Sequence, residues 1–128
     1  MQNKERVISI NEVKHLVIND KDVIEDEFYN KLEVDEVEHI QWVIEQLEKY
    51  EFSNLLSNTD YVAALKGGYD NLWYLRKNYR TNTYRIFFTN TEKIHVLLYG
   101  IRKKTQKIPQ KDIDIALKRK NIVFEELV

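Results

Sequence analysis

Apolar, β-branched and aromatic residues concentrate in three short runs of the second half of the chain. The runs occupy residues 72–76, 84–88 and 94–101, and polar residues at 78–82 and 90–92 separate them. Consecutive runs of this composition, joined by short polar turns, are typical of an antiparallel meander. The pattern therefore predicts three neighbouring antiparallel strands in this half.

The first half contains one clear amphipathic pattern. Apolar residues recur at the three- and four-residue intervals of one helix face. They are Val37, Ile40, Ile44 and Leu47, with Trp42, Val43 and Tyr50 widening the stripe. Asp35 with Glu38 fits a capping box, in which both carboxylates accept hydrogen bonds from free backbone N–H groups. The sequence thus predicts a helix that begins near Asp35.

Weaker patterns fill much of the remaining chain. Residues 6–18 alternate only loosely, which predicts one or two short strands, and the acidic residues 20–32 predict a short helix. Residues 53–60 are polar and predict a loop, and Gly67-Gly68 predicts a turn.

A last helix is predicted from Pro109. Proline suits a first helical turn because its missing N–H would have no partner there. Ile113, Ala116 and Leu117 would then dock this helix on the sheet. Together the elements predict an α+β fold, with N-terminal helices packed on a mostly antiparallel sheet and a C-terminal helix.

Composition narrows the class of protein. The chain has 128 residues, 43% of them hydrophobic, which suits one domain over residues 1–128. It contains no cysteine, which excludes disulfides and thiolate nucleophiles. Its three histidines lack the spacing of a zinc site, so no metal or other cofactor is expected. Without a signal peptide or a run of about 18 apolar residues, a cytoplasmic protein is expected, with no membrane contact.

Charge divides the chain into two halves. Residues 1–60 carry 6 Lys+Arg and 15 Asp+Glu, a balance of −9, whereas residues 61–128 carry 14 and 6, a balance of +8. The acidic and basic residues could simply be solvated surface residues that pair with one another across the fold. Because the cations cluster near two strand ends, the pattern favours a basic face that meets phosphate and an acidic back.

The densest group of cations directly follows the third predicted strand and comprises Arg102, Lys103, Lys104 and Lys107. Like charges repel, so such crowding is typical of a surface that meets a polyanion. Arg76 and Arg85 lie in the middle of predicted strands, where burial without an anion is costly. Either each pairs with a carboxylate or faces solvent, or both point onto one sheet face and bind a phosphate.

Tyr74, Tyr84 and Tyr99 lie among these cations. Aromatic rings beside arginine and lysine form the usual platform for unstacked RNA bases. The alternative is core packing, which we expect for at least half of the aromatic residues in this region. The sequence therefore gives Tyr74, Tyr84, Tyr99, Arg102 and Lys107 as candidate RNA-binding residues.

Four motifs follow one another between residues 65 and 119. They are aromatic-x-Leu-Arg at 73–76, Tyr-Arg-Ile at 84–86, Leu-Leu-x-Gly-x-x-Lys-Lys-Thr-x-Lys-x-Pro at 97–109, and Ala-x-x-Arg at 116–119. In this order and spacing they resemble the RelE/HigB superfamily of toxins from type II toxin–antitoxin systems, specifically its phage-derived subgroup.

The resemblance implies a compact RelE-like fold, with helices packed on one face of a mostly antiparallel sheet. It implies an mRNA endonuclease that acts in the ribosomal A site, inhibits translation and needs no metal. The implied partners are the ribosome, its mRNA and a helix-turn-helix antitoxin that silences the toxin. In such enzymes the ribose 2′-hydroxyl attacks the adjacent phosphate, and preorganised cations stabilise the developing negative charge.

Carried onto this chain, the resemblance implies four catalytic residues: Arg76, Arg85, Lys103 and Lys104. The two arginines would contact the phosphate, and the two lysines would orient the backbone or help with proton transfer. Many relatives have glutamate at the position of Tyr74 and histidine at that of Tyr99, so proton transfer would have moved to a tyrosine or been lost. Two alternatives stay open: a non-catalytic homologue that binds RNA or an antitoxin, and a gyrase-poisoning toxin of the same fold.

Overall fold

A five-stranded sheet forms the centre of the protein in a computed structural model that describes residues 12–50, 55, 62–64, 69–91 and 94–127. The strands are β1 (Glu12–His15), β2 (Val17–Ile18), β3 (Lys21–Asp22), β4 (Val62–Ala64), β5 (Trp73–Tyr79), β6 (Asn82–Thr91) and β7 (Ile94–Lys103). The helices of the described residues are α1 (Val23–Glu27), α2 (Val34–Lys49) and α3 (Gln110–Leu127), with a 3₁₀ turn at Tyr29–Lys31.

The order of the main sheet is β1-β7-β6-β5-β4, and β2 pairs with β3 in a separate hairpin. Among the described strands, only β1 runs parallel to its neighbour; β4 to β7 pair antiparallel. The α+β class, the mostly antiparallel sheet and the meander of three strands are therefore confirmed.

The first turn of the meander is shorter than predicted. Asn78 and Tyr79 still pair with Thr83 and Asn82, so the turn consists of residues 80 and 81 alone. Arg80 takes a φ of 56°, which permits so tight a reversal. The predicted turn at 90–92 is wrong for its first two residues, since Asn90 and Thr91 belong to β6. Residue 92 lies outside the described residues.

The helices lie on opposite faces of the sheet. Neighbouring residues of a strand point to opposite faces, and β7 shows the division at Tyr99 and Gly100. The Tyr99 hydroxyl donates to Asp112 on α3, whereas a side chain on Gly100 would overlap the ring of Phe28, which follows α1. The expectation that all helices share one face is therefore wrong for α3. We call the two sides the α2 face and the α3 face.

The start of α2 differs from the predicted capping box. Glu33 is the N-cap, and its backbone N–H donates to the Glu36 carboxylate at 2.9 Å. The predicted pair, Asp35 and Glu38, is wrong by two residues, because Asp35 instead accepts the Tyr79 hydroxyl at 2.6 Å. A run with several acidic residues offers more than one capping register, and a contact from a distant strand decides between them.

The remaining predictions on the first half have mixed outcomes. Part of the predicted helix at 20–32 forms, as α1 and the 3₁₀ turn, while its first residues enter the β2–β3 hairpin. One or two strands were expected within 6–18, and β1 and β2 lie there; residues 6–11 are outside the described part. The predicted loop at 53–60 and the Gly67-Gly68 turn also lie outside it, apart from Leu55.

The final helix forms as predicted. Its first backbone hydrogen bonds run from Asp112 and Ile113 to the Pro109 carbonyl. Ile113 and Ala116 are buried and Leu117 is half-buried, so the docking stripe is confirmed. None of the helices in the described part of the chain is long and apolar enough to cross a lipid bilayer.

Candidate nucleic-acid interface

The register of the meander brings three of the candidate catalytic residues onto the α3 face. Arg76 on β5 lies directly opposite Arg85 on β6. Arg85 lies opposite Ile101 on β7, and Lys103 follows Ile101 on the same face. Arg76, Arg85 and Lys103 therefore project from adjacent positions at one end of the sheet.

Arg85 is buried beneath the loop that connects β7 to α3. Only 1% of the residue is exposed. Its Nη2 donates to the Gln106 carbonyl at 2.7 Å, its Nη1 donates to the Thr105 carbonyl at 3.4 Å, and its guanidinium carbon lies 5.9 Å from the centre of the Tyr74 ring. The arginine thus fixes the backbone of the loop from below, with the Tyr74 ring beside it.

The loop carries the exposed cations. Lys104 and Lys107 are exposed and Lys103 is half-buried. Within the residues that the structure describes, none of these three ammonium groups makes a hydrogen bond or an ion pair. We call Arg76, Lys103, Lys104 and Lys107 the cationic face. Three of its four charges are uncompensated, which suits binding to a polyanion.

A row of aromatic rings crosses the sheet next to the cationic face. The rings of Tyr74 and Phe87 are 5.9 Å apart, and those of Phe87 and Tyr99 are 6.1 Å apart. Phe87 is buried and the two tyrosines are half-buried. Tyr74, beside Arg85, is therefore the aromatic residue placed best for contact with a base near the cations.

Tyr99 is held under α3. Its hydroxyl donates to Asp112 at 2.8 Å, and the Arg119 guanidinium lies 5.4 Å from its ring centre. Burial, with the Asp112 carboxylate adding to the effect, raises the pKa of Tyr99 well above its ordinary value. Tyr99 therefore stays protonated and is not a suitable general base.

Arg102 and Tyr84 lie on the α2 face instead. Arg102 Nη1 donates to both Glu36 carboxylate oxygens, at 3.1 and 2.8 Å. The Tyr84 hydroxyl donates to the same carboxylate at 2.5 Å. Tyr84 is 1% exposed, and burial together with Glu36 raises its pKa to about 12. The structure thus separates these two candidates from the cationic face and places both in a packed polar network.

The histidines and carboxylates of the described residues do not form a metal site, since no three of them come together. His15 contacts Asp22 at 2.8 Å, and the His39 ring stacks on Tyr79 at 3.8 Å. Burial lowers the pKa of His95 to about 4, so this ring is neutral at physiological pH.

Two acidic residues that sequence reasoning left out hold candidate residues in place. Glu36 anchors Arg102, and Asp112 anchors Tyr99. Both carboxylates are almost completely buried, at 6% and 2% exposure. Each lies in the first turn of a helix, where acidic residues are common. The sequence around Glu36 and Asp112 therefore does not reveal that they bind distant side chains.

Comparison with known proteins identifies the family to which the chain belongs. No curated protein matches the chain significantly. The model of the family described as phage-derived protein Gp49-like (DUF891) matches residues 27–121, which include α2, the sheet from β4 to β7, the cationic face and much of α3. Because this match spans most of the chain, the protein belongs to the phage-derived Gp49-like family, a family of RelE-toxin-like proteins.

Proposed function

We propose that this protein is the toxin of a toxin–antitoxin system and cleaves mRNA on the ribosome. One observation carries the proposal: the buried Arg85 holds a loop whose lysines are uncompensated, and Arg76 lies directly opposite Arg85 on the neighbouring strand. A rigid cluster of cations of this kind is suited to phosphate groups. Membership of a RelE-toxin-like family supports the same conclusion.

The chemistry that fits this face is internal transfer of a phosphoryl group. The ribose 2′-oxygen attacks the adjacent phosphorus, the bond to the 5′-oxygen breaks, and a 2′,3′-cyclic phosphate and a 5′-hydroxyl result. The proton of the 2′-hydroxyl leaves, and a proton is delivered to the departing 5′-oxygen. The added negative charge falls on the non-bridging oxygens, where fixed cations stabilise it most effectively.

The geometry suggests different roles for the four candidate catalytic residues. Arg76, Lys103 and Lys104 would contact the scissile phosphate, and a lysine ammonium can donate a proton to the departing 5′-oxygen. Arg85 would act through the loop, because its guanidinium donates to the Thr105 and Gln106 carbonyls. We therefore assign Arg85 as a positioning residue and the other three as candidate catalytic residues.

The proposed location and partners of the protein follow from this activity. The protein would act in the cytoplasm on ribosome-bound mRNA and would need no metal. A helix-turn-helix antitoxin would keep it inactive until released. Lys107, in the cationic face, and Tyr74, beside Arg85, would bind the RNA on either side of the cleaved bond.

One observation favours a second candidate, a homologue that binds RNA without cutting it. Tyr99 stands where many relatives have histidine, and its hydroxyl is protonated and bound to Asp112. A protein that has lost its general base would keep the cationic face and bind RNA while leaving it intact.

The test is induced expression of the wild-type chain and of Arg76→Ala, with translation rates and mRNA 5′ ends followed over minutes. The proposal expects rapid arrest with new ends inside translated codons for the wild type, and neither for the variant. Purified protein should make the same cuts on mRNA-programmed ribosomes. RNA binding without cuts would establish the second candidate, and arrest with intact mRNA and DNA damage would point to gyrase.

A further inference from the structure

The outer surface of α2 carries a row of carboxylates that the proposed function does not use. Glu38, Glu45 and Glu48 recur at helical spacing. At about 100° per residue, Glu45 lies within about 20° of Glu38 around the helix, and Glu48 lies within about 80° of it. The buried side of α2, which includes Val43 and Leu47, points the opposite way. We call Glu38, Glu45 and Glu48 the acidic stripe.

The acidic stripe carries uncompensated negative charge. Two of its residues are exposed and Glu48 is half-buried. Within the part of the chain that the structure describes, none of its carboxylates makes an ion pair or a hydrogen bond. The single lysine of α2, Lys49, is the last residue of the helix and does not balance the stripe. Trp42 lies between the glutamates and is 43% exposed, although the Lys77 ammonium is 5.0 Å from its ring centre.

The loop cations Lys103, Lys104 and Lys107 match the acidic stripe in number and in length. The backbone between the first and the last of these lysines spans at most about 14 Å, and Glu38 and Glu48 are about 15 Å apart along α2. No ion pair joins the two sets among the described residues of one copy, because α2 covers one face of the sheet and the lysines belong to the other face and its loop. A second copy of the chain can bring the two sets together.

We propose that the acidic stripe of one copy binds the loop lysines of a second copy, so that the protein associates head to tail. The net charge of −1 supports this occupant, since two copies repel one another little while their opposite faces attract. Exposed ion pairs are weak individually and are screened by salt, so the contact is reversible and salt-dependent. Because each joined pair still presents one free stripe and one free loop, further copies can add to it.

The consequence of this contact for activity rests on the proposed function. The stripe covers the lysines that would bind RNA, so a copy joined in this way cannot use them for cleavage. RNA competes for the same cations and would separate the copies. The acidic half of the chain would therefore restrain the basic half of a neighbouring copy when the protein is concentrated.

Sedimentation velocity of the full chain, over a range of protein concentrations and without RNA, measures the association. At an ionic strength of about 0.01 M, where the screening length is about 30 Å, the mean mass of the wild type should rise about twofold with concentration. At about 1 M salt, where the screening length is about 3 Å, it should stay that of the monomer. A wild type that is monomeric at both salt concentrations would overturn the proposal and leave the stripe to a basic partner protein. Equal association at both would overturn it too.

Two triple variants test whether these two surfaces meet. The stripe variant carries Glu38→Gln, Glu45→Gln and Glu48→Gln, and the loop variant carries Lys103→Gln, Lys104→Gln and Lys107→Gln. Each alone should stay monomeric, whereas their equimolar mixture should form a one-to-one pair that grows no further, because one intact loop and one intact stripe remain. Misfolded variants could not restore pairing in this way, and a mixture that stays monomeric would overturn the proposal.

The matched control removes three exposed carboxylates outside the stripe, as Asp20→Asn, Glu25→Gln and Asp26→Asn. It changes the net charge by the same amount as the stripe variant and should associate like the wild type. If it lost association to the same degree, net charge would explain the result and the proposal would fail.

Cleavage of mRNA, measured separately, distinguishes this proposal from the proposed function. A wild type that cuts mRNA but never associates would refute the head-to-tail contact alone. Variants that complement one another in a protein that cuts nothing would support the contact and refute the interferase. If both hold, the stripe variant should cut about twofold faster than the wild type at protein concentrations where the wild type associates. Equal rates there would overturn the restraint on activity.

Discussion

The neighbours Arg102 and Lys103 illustrate how differently the two faces of the sheet use positive charge. Arg102 points to the α2 face and is bound by the buried carboxylate of Glu36. Lys103 points to the α3 face, and its ammonium has no partner among the described residues. Since one strand supplies both, the alternation of side chains decides which cation stabilises the fold and which remains available to a ligand.

Crowding of cations in the sequence therefore overstates the positive charge that is available at a site. Glu36 neutralises Arg102 and also accepts the Tyr84 hydroxyl, so the charge of Arg102 is paired within the α2 face. On the α3 face, Arg85 is used internally, by backbone carbonyls of the loop. The positive charge that remains available to a ligand on the α3 face is therefore that of the cationic face.

Arg85→Ala should have the largest effect, because it removes the support of the loop. Two loop carbonyls would lose a charged donor and a cavity would form at the buried Arg85 side chain, so we expect a loss of about 3–4 kcal/mol in the free energy of unfolding. Toxicity should be lost as well. Urea denaturation and the arrest assay measure the two effects.

Arg85→Met is the matched control, since it fills the same space without donating hydrogen bonds. It should recover part of the stability but none of the toxicity. Full toxicity in this variant would show that the loop does not need Arg85 for its position.

Replacing the three loop cations together, as Lys103→Ala, Lys104→Ala and Lys107→Ala, should reduce cleavage about a hundredfold. The free energy of unfolding should stay within about 0.5 kcal/mol, because these ammonium groups make no bonds within the described chain. RNA binding should also depend less on salt: the slope of the logarithm of the binding constant against the logarithm of the salt concentration should decrease in magnitude by about 2.

The matched control replaces three exposed lysines of the acidic half: Lys14, Lys21 and Lys31. It removes the same net charge from the opposite part of the chain and should leave cleavage nearly unchanged. Equal losses in both triple variants would mean that net charge alone matters, and not the cationic face.

The sequence predicts the sheet well because its signals are local. The runs that become β5, β6 and β7 are rich in strand-forming residues, and short polar turns leave a meander as the simplest arrangement. The helix α2 follows from its apolar spacing. The sequence does not predict which side of the sheet α3 occupies, since that depends on how residues 104–109 turn after the last strand.

The candidate site is predicted in part, for a related reason. The types of residue and their strands identify Arg76, Arg85 and Lys103, but burial of Arg85 depends on carbonyls about 20 residues away. The separation of Arg102 from Lys103 follows from alternation, yet the carboxylate that captures Arg102 is 66 residues distant. Contacts of this range leave no local pattern.

Gly100→Ala tests the close packing of the α2 face. An added methyl group would overlap the ring of Phe28, which is buried against β7. We expect a loss of about 2–3 kcal/mol in the free energy of unfolding, as for other overpacked cores. In a Phe28→Leu background the same change should cost clearly less, and equal costs in both backgrounds would mean that the two residues do not interact.

Glu36→Gln should have the smallest effect at neutral pH and a characteristic pH dependence. Burial alone would raise the pKa of Glu36, but the Glu33 N–H, the Tyr84 hydroxyl and Arg102 outweigh it and lower the pKa from 4.5 to about 2. A pKa depressed in the folded state stabilises the fold above the unfolded value, and that stability is lost as the pH falls through the folded one.

The wild type should therefore exceed Glu36→Gln by about 1–2 kcal/mol near pH 6, and the difference should vanish as the pH falls from about 4.5 to 2. Urea denaturation at several pH values measures it. Cleavage at neutral pH should change little, because Glu36 contacts the α2 face and not the cationic face. A pH-independent difference would show that the carboxylate charge contributes nothing, whereas a loss of cleavage as large as that of the loop lysines would mean that the two faces are not separate.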